Sequence, residues 1–391
     1  MSDAWQYVIA MKSLPSEYRA LRTLAAEVSS ATTPLIQLWD RAPSPDVEEE
    51  GEELDAGQAE LALVEQQTVW EEAAGDRVWR RFRGGLFPKT RPGWPVARRF
   101  LLDGEWLEDP DSLSVVIGHA RARDLDVVPV TGLVRSAEYQ DVVSKLASPD
   151  RGGLVVRLVR ADFTAGPRSL DDKLSTVLRA SGVSTASTDV ILDLRSVDNS
   201  VRERDEANVE AMLRLLPDLE QWRNVAVIAS GAPRQVDAKR FPQNELTPYP
   251  RPEWWIWREL RSRLPLVARI PTYGDYGTHH PEKVEAIGGA AGGKKLPRIP
   301  QIRYASSDSM LMLRGHDLRG RDDGDQQLRE MLDRLKEYGA AASANYSAGD
   351  AWLQAAANGE ESPGSWPTWK WAGQVHGITH AVTQLASLDG P

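Results

Sequence analysis

The chain predicts a (β/α)8 barrel of the TIM type, followed by a C-terminal, mostly helical extension. Eight short apolar segments recur along the first 287 residues, most of them separated by stretches with helical periodicity. Several, such as Leu154-Val-Val-Arg-Leu-Val159, are nearly continuous apolar runs rich in valine, as a strand covered on both faces requires. Polar residues gather just after these runs, where a barrel collects its side chains at one mouth. A doubly wound open sheet is the alternative. It is the weaker one, because eight units over this length suit closure.

The elements follow in order. Tyr7–Lys12 reads as the first strand, and Tyr18, Leu21, Leu24 and Val28 space a helix at the 3.6-residue period. Pro34–Trp39 is the second strand. The pattern then breaks at Pro43-Ser-Pro45 and the acidic run Glu48–Glu53, read as a solvated loop insertion over residues 41–57. Gln58–Arg83 has helical character, and the glycines and prolines of Gly84–Pro95 end it. Arg99–Asp103 is a third strand, and Asp109-Pro-Asp-Ser112 supplies capping residues for a helix reaching Arg123. Strands over Val127–Thr131, Leu154–Val159, Asp189–Leu194 and Asn224–Ala229 alternate with helices over Ala137–Ala147, Asp171–Ala180 and Glu203–Leu216. A helix over Trp254–Leu264 and an eighth strand ending at Ile270 complete the barrel.

Beyond residue 287 the texture changes. A Gly-Gly-Ala-Ala-Gly-Gly-Lys-Lys connection from Gly288 leads to a hairpin, Gln301–Tyr304 with Met310–Arg314. Three helices follow, Gln326–Ser343, Ala348–Ala357 and Ala372–Leu388. Residues 288–391 are too few for a well-separated core, so they are expected to cap the barrel.

Composition removes several function classes. A formal net charge of -10 disfavours a broad charge-driven grip on nucleic acid. The absence of cysteine excludes disulfides, thiol catalysis and thiolate zinc sites. No Gly-x-Gly-x-x-Gly follows the first strand and no Walker loop occurs, so no nucleotide cofactor is indicated and none of any other kind is identified. Neither a signal peptide nor a membrane-length apolar run is evident, and the expected location is cytoplasmic. Six of the fourteen tryptophans cluster at Trp254-Trp-Ile-Trp257 and Trp366–Trp371, where packing is the simpler reading and a stacking surface the sharper one.

Gly274-Asp275-Tyr276-Gly277-Thr278-His279-His280-Pro281 concentrates an acid, two imidazoles and two glycines near the end of the last strand. With Tyr7-Val-Ile-Ala-Met-Lys12, Glu17-Tyr-Arg-Ala-Leu21, Pro34-Leu-Ile, Ile191-Leu-Asp193-Leu, Ile302-Arg-Tyr304 and His376-Gly-Ile-Thr-His380, it resembles the beta family, named for the beta protein of T-even phages. The ordered set covers nearly the whole chain. The resemblance carries over no biochemical activity. It implies a setting among mobile elements and phage conflict, with a protein partner encoded by a neighbouring defence or toxin–antitoxin-like gene.

A barrel would bring Asp193, Asp275 and His280 to one mouth as candidates for acid–base work. Lys12, Arg303, His279, His376 and His380 would hold a small anionic ligand there. Each has a plainer reading. Asp193 could belong to a satisfied buried network, Asp275 could cap a turn, the histidine pair could be a loop, and Lys12 could snorkel. His376 and His380 are four apart on one helical face but lack the glutamate of a zinc-protease helix, so no metal site is expected. Two functions follow. One is a recognition or regulatory component of a phage-defence or mobile-element module, working through a polar barrel mouth. The other is a barrel hydrolase or lyase acting on a phosphate- or carboxylate-bearing ligand.

Overall fold

The computed structural model describes residues 4–40, 74–87, 99–234, 236–263, 269–282, 299–319 and 322–388. The acidic insertion at 41–57, the first part of the helix expected from Gln58, and the boundary near residue 287 with its glycine-rich connection lie outside the described residues.

Eight parallel strands close into a barrel. They are β1 (Tyr7–Lys12), β2 (Thr32–Trp39), β3 (Phe100–Trp106), β4 (Val127–Thr131), β5 (Leu154–Val159), β6 (Thr188–Ser196), β7 (Asn224–Ser230) and, after a short excursion of the chain described below, β9 (Thr272–Asp275). Closure is made by β9, whose Gly274 and Asp275 pair with Val8 and Ile9 while its other edge pairs with β7. A side chain here would not fit. A Cβ on Gly274 would stand 2.5 Å from Ile228 Cγ2 and 2.6 Å from Val8 O.

Alternation along each strand sorts the apolar residues into two cores. Val8, Ala10, Leu35, Leu101, Val130, Val155, Ile191, Ala226 and Ile228 fill the barrel interior. Tyr7, Ile9, Met11, Ile36, Leu102, Val156, Leu192 and Tyr273 face outward into the layer of helices. Those helices are α1 (Pro15–Arg22), α2 (Ala26–Ala31), α3 (Ala74–Leu86), α4 (Asp111–Arg121), α5 (Ala137–Leu146), α6 (Pro167–Ser181), α7 (Arg202–Leu215) and α8 (Pro252–Ser262). The single helix expected across Tyr18–Val28 is broken at Thr23, whose hydroxyl bonds back to Arg19 O and Ala20 O and so closes α1.

The eighth strand lies later than the sequence suggested, within the Gly-Asp-Tyr-Gly motif rather than before it. Ile270 is instead 37% exposed.

The excursion after β7 forms β8 (Thr247–Pro250), which the sequence reading missed because its prolines read as turn. It joins β10 (Gln301–Ala305) and β11 (Ser309–Arg314) in an antiparallel sheet ordered β10-β11-β8. Leu311, Leu313, Ile302 and Tyr304 share a core with the last helices, α9 (Gly324–Glu337), α10 (Ala348–Ala357) and α11 (Trp366–Leu388). Met310 and Met312, on the opposite face, pack with Ala232 and Phe241. The long α11 lies against both α1 and β10. Trp254 and Trp257 stack at 5.5 Å and both meet the edge of Tyr273, so this part of the tryptophan set serves packing.

Candidate functional site at the barrel mouth

The strands' carboxyl ends carry two polar groups of different character. On the β3–β6 side, Arg157 is a fully buried hub. Its Nε and Nη2 donate to Asp193 Oδ2 at 2.9 and 2.6 Å, and Nη1 donates to Asp103 Oδ2 at 2.6 Å and Glu105 Oε2 at 3.2 Å. Nη2 also reaches the Tyr276 hydroxyl at 2.8 Å, and that hydroxyl donates to Asp193 Oδ2 at 2.8 Å. Arg135 bridges Asp103 and Glu105, and Arg195 bridges Asp193 and Glu105.

The backbone shapes this group. A register shift after Asp193 and a left-handed φ of 57° at Arg195 turn that guanidinium back over the mouth. Burial works against the charge of Arg157, but Tyr276, Asp193, Asp103 and Glu105 outweigh it and keep the guanidinium cationic. Burial likewise opposes ionisation of Glu105, yet Arg157, Arg135 and Arg195 hold its pKa down at about 2. Three arginines thus face three carboxylates, and the charges cancel locally.

The β1–β2–β9 side is different. Lys12 Nζ donates to His280 O at 2.9 Å, and Arg303 Nη1 donates to Thr278 O at 2.7 Å. Both partners are neutral carbonyls of one loop, and among the described residues neither cation forms an ion pair. Burial lowers the Lys12 pKa to about 8, against a partial counter-effect from Glu17, and burial alone lowers that of Arg303 to about 10. His279 is pushed well below its ordinary value by burial, Arg303, Lys12 and Lys370, so its ring is neutral. Its Nδ1 lies 3.5 Å from Glu17 Oε1 but has no hydrogen-bond partner. Gln37, paired with Lys12 in register and wholly buried, has neither amide atom bonded. Sequence alternation turns Lys12 and Gln37 inward together, beside a neutral imidazole.

Both groups hang on the loop after β9. Gly277 takes a left-handed φ of 59°, and Gln374 of α11 sits where its Cβ would be. The Gln374 carbonyl oxygen accepts from Thr278 N at 2.9 Å, tying the extension to the mouth. The segments that build this loop, the first strand and the closing helix are the ones carrying the resemblance noted in the sequence. The family model described as Beta protein matches residues 7–383.

The chain belongs to the Beta protein family. Neither a curated protein nor a solved structure matches it.

This Beta protein family member separates residues that the sequence grouped together. Asp193 lies inside the mouth, but Asp275 does not. Pairing of Gly274 with inward Val8 sends Asp275 to the outer face of the barrel wall. There its oxygens accept from Tyr7 OH at 2.5 Å, Tyr273 OH at 2.8 Å and Gly277 N at 2.8 Å. Arg251 and Glu253, at the start of α8, lie beside it, and Arg251 Nη1 donates to Gln384 of α11 at 2.8 Å. His280 sits at the mouth, half-buried, with its pKa lowered first by burial, and its Nδ1 accepts from Glu282 N at 3.3 Å.

His376 and His380 lie in the extension, away from Asp275. His376 Nδ1 meets Asp350 Oδ2 at 2.9 Å, Nε2 meets Ala305 O at 2.9 Å, and Tyr304 stacks on the ring. His380 Nδ1 faces the Tyr346 hydroxyl at 3.3 Å. Among the described residues, no group of three or more His, Asp or Glu could hold a metal ion. Nor is any described helix long and apolar enough to cross a membrane.

Glu105 and Arg135 were not singled out from the sequence, and Tyr276 and Glu17 stood in quoted motifs without a role. Glu105 follows Asp103 by two residues and so shares its face, a signal the alternation of β3 carried.

Proposed function

We propose that this Beta protein family member is a recognition component that binds a small anionic ligand at the Lys12–Arg303–His279 side of its barrel mouth. The observation that carries this reading is the contrast between the two sides. The acids on the β3–β6 side of the mouth are consumed by arginines, while Lys12 and Arg303 rest on neutral carbonyls beside the unbonded amide of Gln37. Buried cations without carboxylate partners are costly, and an arriving anion relieves that cost.

The reading as a hydrolase or lyase has less support. Asp193 and Asp275 stand on opposite faces of the barrel wall, and both are fully engaged by donors. The ligand-bound mouth would then signal to a protein partner within a phage-defence or mobile-element module; support for that setting comes from the family resemblance.

Thermal shift with inorganic phosphate, citrate and a nucleoside monophosphate tests the anion site, since a ligand selective for the folded state raises the melting temperature. Wild type is expected to be stabilised by at least one of them, with the effect abolished in Arg303→Met. Equal stabilisation of the variant would overturn the assignment. Co-purification of tagged protein from a native host under phage challenge tests the partner, and a chain that stays alone throughout counts against it.

A further inference from the structure

We propose that the cavity between α1 and α3 is a second anion site, built for a phosphate monoester carried on a small apolar group. The cavity is about 440 Å3, and Ser16, Tyr18, Arg19, Arg22, Arg81 and Pro367 are among the residues that line it. That volume suits a small organic ligand rather than a lone ion.

Three guanidinium groups converge on it, two from α1 and one from α3. Arg19 is held flat over the Trp371 ring, 3.7 Å from its centroid. Arg22 donates to Gly85 O, and Arg81 donates to Trp39 O at 3.1 Å and to Asp40 O. These contacts help to fix the positions of two of the arginines, and burial disfavours the charge of Arg81 against a partial counter-effect from Tyr18 and Asp40.

The second observation is Ser16. Its side chain is 4% exposed, yet its hydroxyl has no hydrogen-bond partner. It stands in the first turn of α1, where the N-cap is Leu14 and no side chain caps the helix. A buried hydroxyl without a hydrogen-bond partner and a planar guanidinium fork together match the oxygens of a phosphate. The ring of Tyr18, Pro367 and the glycine pair Gly84–Gly85 offer an apolar wall for the group that carries it.

This site is distinct from the barrel mouth. Glu17 turns to the other side of α1, where it accepts from Lys12 N at 2.7 Å and lies beside His279. The two sites therefore lie back to back across one helix, and none of the side chains named for one is used by the other.

Phenyl phosphate, with phenol and inorganic phosphate as comparators, tests the proposal by ligand-observed NMR titration on the full chain. Phenyl phosphate is expected to bind at least about tenfold more tightly than either comparator, the scale of one or two charge-assisted hydrogen bonds. Ser16→Asp should abolish that binding while preserving the fold, because an acid in the first helical turn is favoured by the helix dipole but repels the phosphate. Arg22→Gln should weaken it by about tenfold, and Arg303→Met, at the mouth, should leave it unchanged. Binding that survives Ser16→Asp intact would overturn the proposal. So would binding lost in Arg303→Met but kept in Ser16→Asp, or equal affinity for phenol.

Discussion

Replacing Arg157 with methionine isolates what the charge-balanced side of the mouth contributes. The side chain is fully buried, and its guanidinium makes five hydrogen bonds, four of them to carboxylates of Asp103, Asp193 and Glu105. Methionine fills similar volume, so a cavity contributes little. What remains is two wholly buried carboxylates, Asp103 and Asp193, that keep donors from the Arg135, Arg195 and Tyr276 side chains and from the backbone N–H groups of Glu105 and Arg195. Removing one partner of a buried ion pair costs about 3–5 kcal/mol, and the upper end applies here because one cation serves two buried acids. Urea denaturation at pH 7.5 should show that loss as a lower midpoint with an unchanged slope. The deficit also has a predicted pH dependence. Arg157 is the foremost of the cations that hold the Glu105 pKa at about 2 against burial, so part of the stability this carboxylate contributes above its unfolded value of 4.5 is missing in the variant. That contribution is lost from wild type as pH falls from 4.5 towards 2, so the gap between wild type and variant should narrow over that range. A loss below ~1 kcal/mol, or a gap that is flat in pH, would refute the account of a desolvated hub.

Three other perturbations read neighbouring groups. Burial raises the Glu253 pKa to about 7, so the folded state retains a proton the unfolded state releases; stability is lost as pH rises from about 4.5 to 7, and Glu253→Gln should flatten that slope in pH-dependent melts. In the extension, His376→Leu leaves Asp350 with only the Ser347 and Tyr304 side chains and its own backbone cap. A cost of about 3 kcal/mol is expected in urea titration, and a neutral result would show that Asp350 does not depend on the imidazole. At the mouth, Lys12 has its pKa lowered to about 8, so an anion bound beside it should draw in a proton near pH 8. Calorimetry in two buffers of different ionisation enthalpy would register about half a proton taken up in wild type and none in Lys12→Met.

The barrel was legible because parallel strands covered on both faces are written as apolar runs, and seven of the eight lay where those runs stand. The last strand was not, since Thr272-Tyr-Gly-Asp275 carries glycine and aspartate, residues that usually mark turns. That displacement had a chemical consequence. Reading Asp275 as part of the loop placed it in the mouth, whereas its register against Ile9 fixes it on the outer face. Lys12, Gln37, Asp103, Arg157 and Asp193 were all recoverable, because parity along a well-placed strand decides which face a side chain takes. Arg135 was not, as it reaches the mouth from the loop before α5 rather than from a strand. The pairing of His376 with Asp350 was equally hidden, for it depends on two helices of the extension meeting over β10.

The difference between the two sides of the mouth bears on how a ligand could act. The Arg157 group is over-determined: its main charges each meet more than one partner, and Tyr276 of the β9 loop donates directly into it. The Lys12–Arg303 group is under-determined, held by single bonds to the carbonyls of Thr278 and His280. Both are joined through the same few residues, 276 to 280, and Gln374 of α11 grips that segment at Thr278. An anion that draws Lys12 or Arg303 off those carbonyls leaves acceptors of this segment unbonded, while the rigid side resists any matching shift at Tyr276. The strain then falls on Thr278 and its contact with α11. A partner that senses occupancy would on this argument read the position of the closing helix, so Gln374→Ala should uncouple partner binding from ligand while leaving ligand affinity within about twofold, the scale of a change that removes no direct contact.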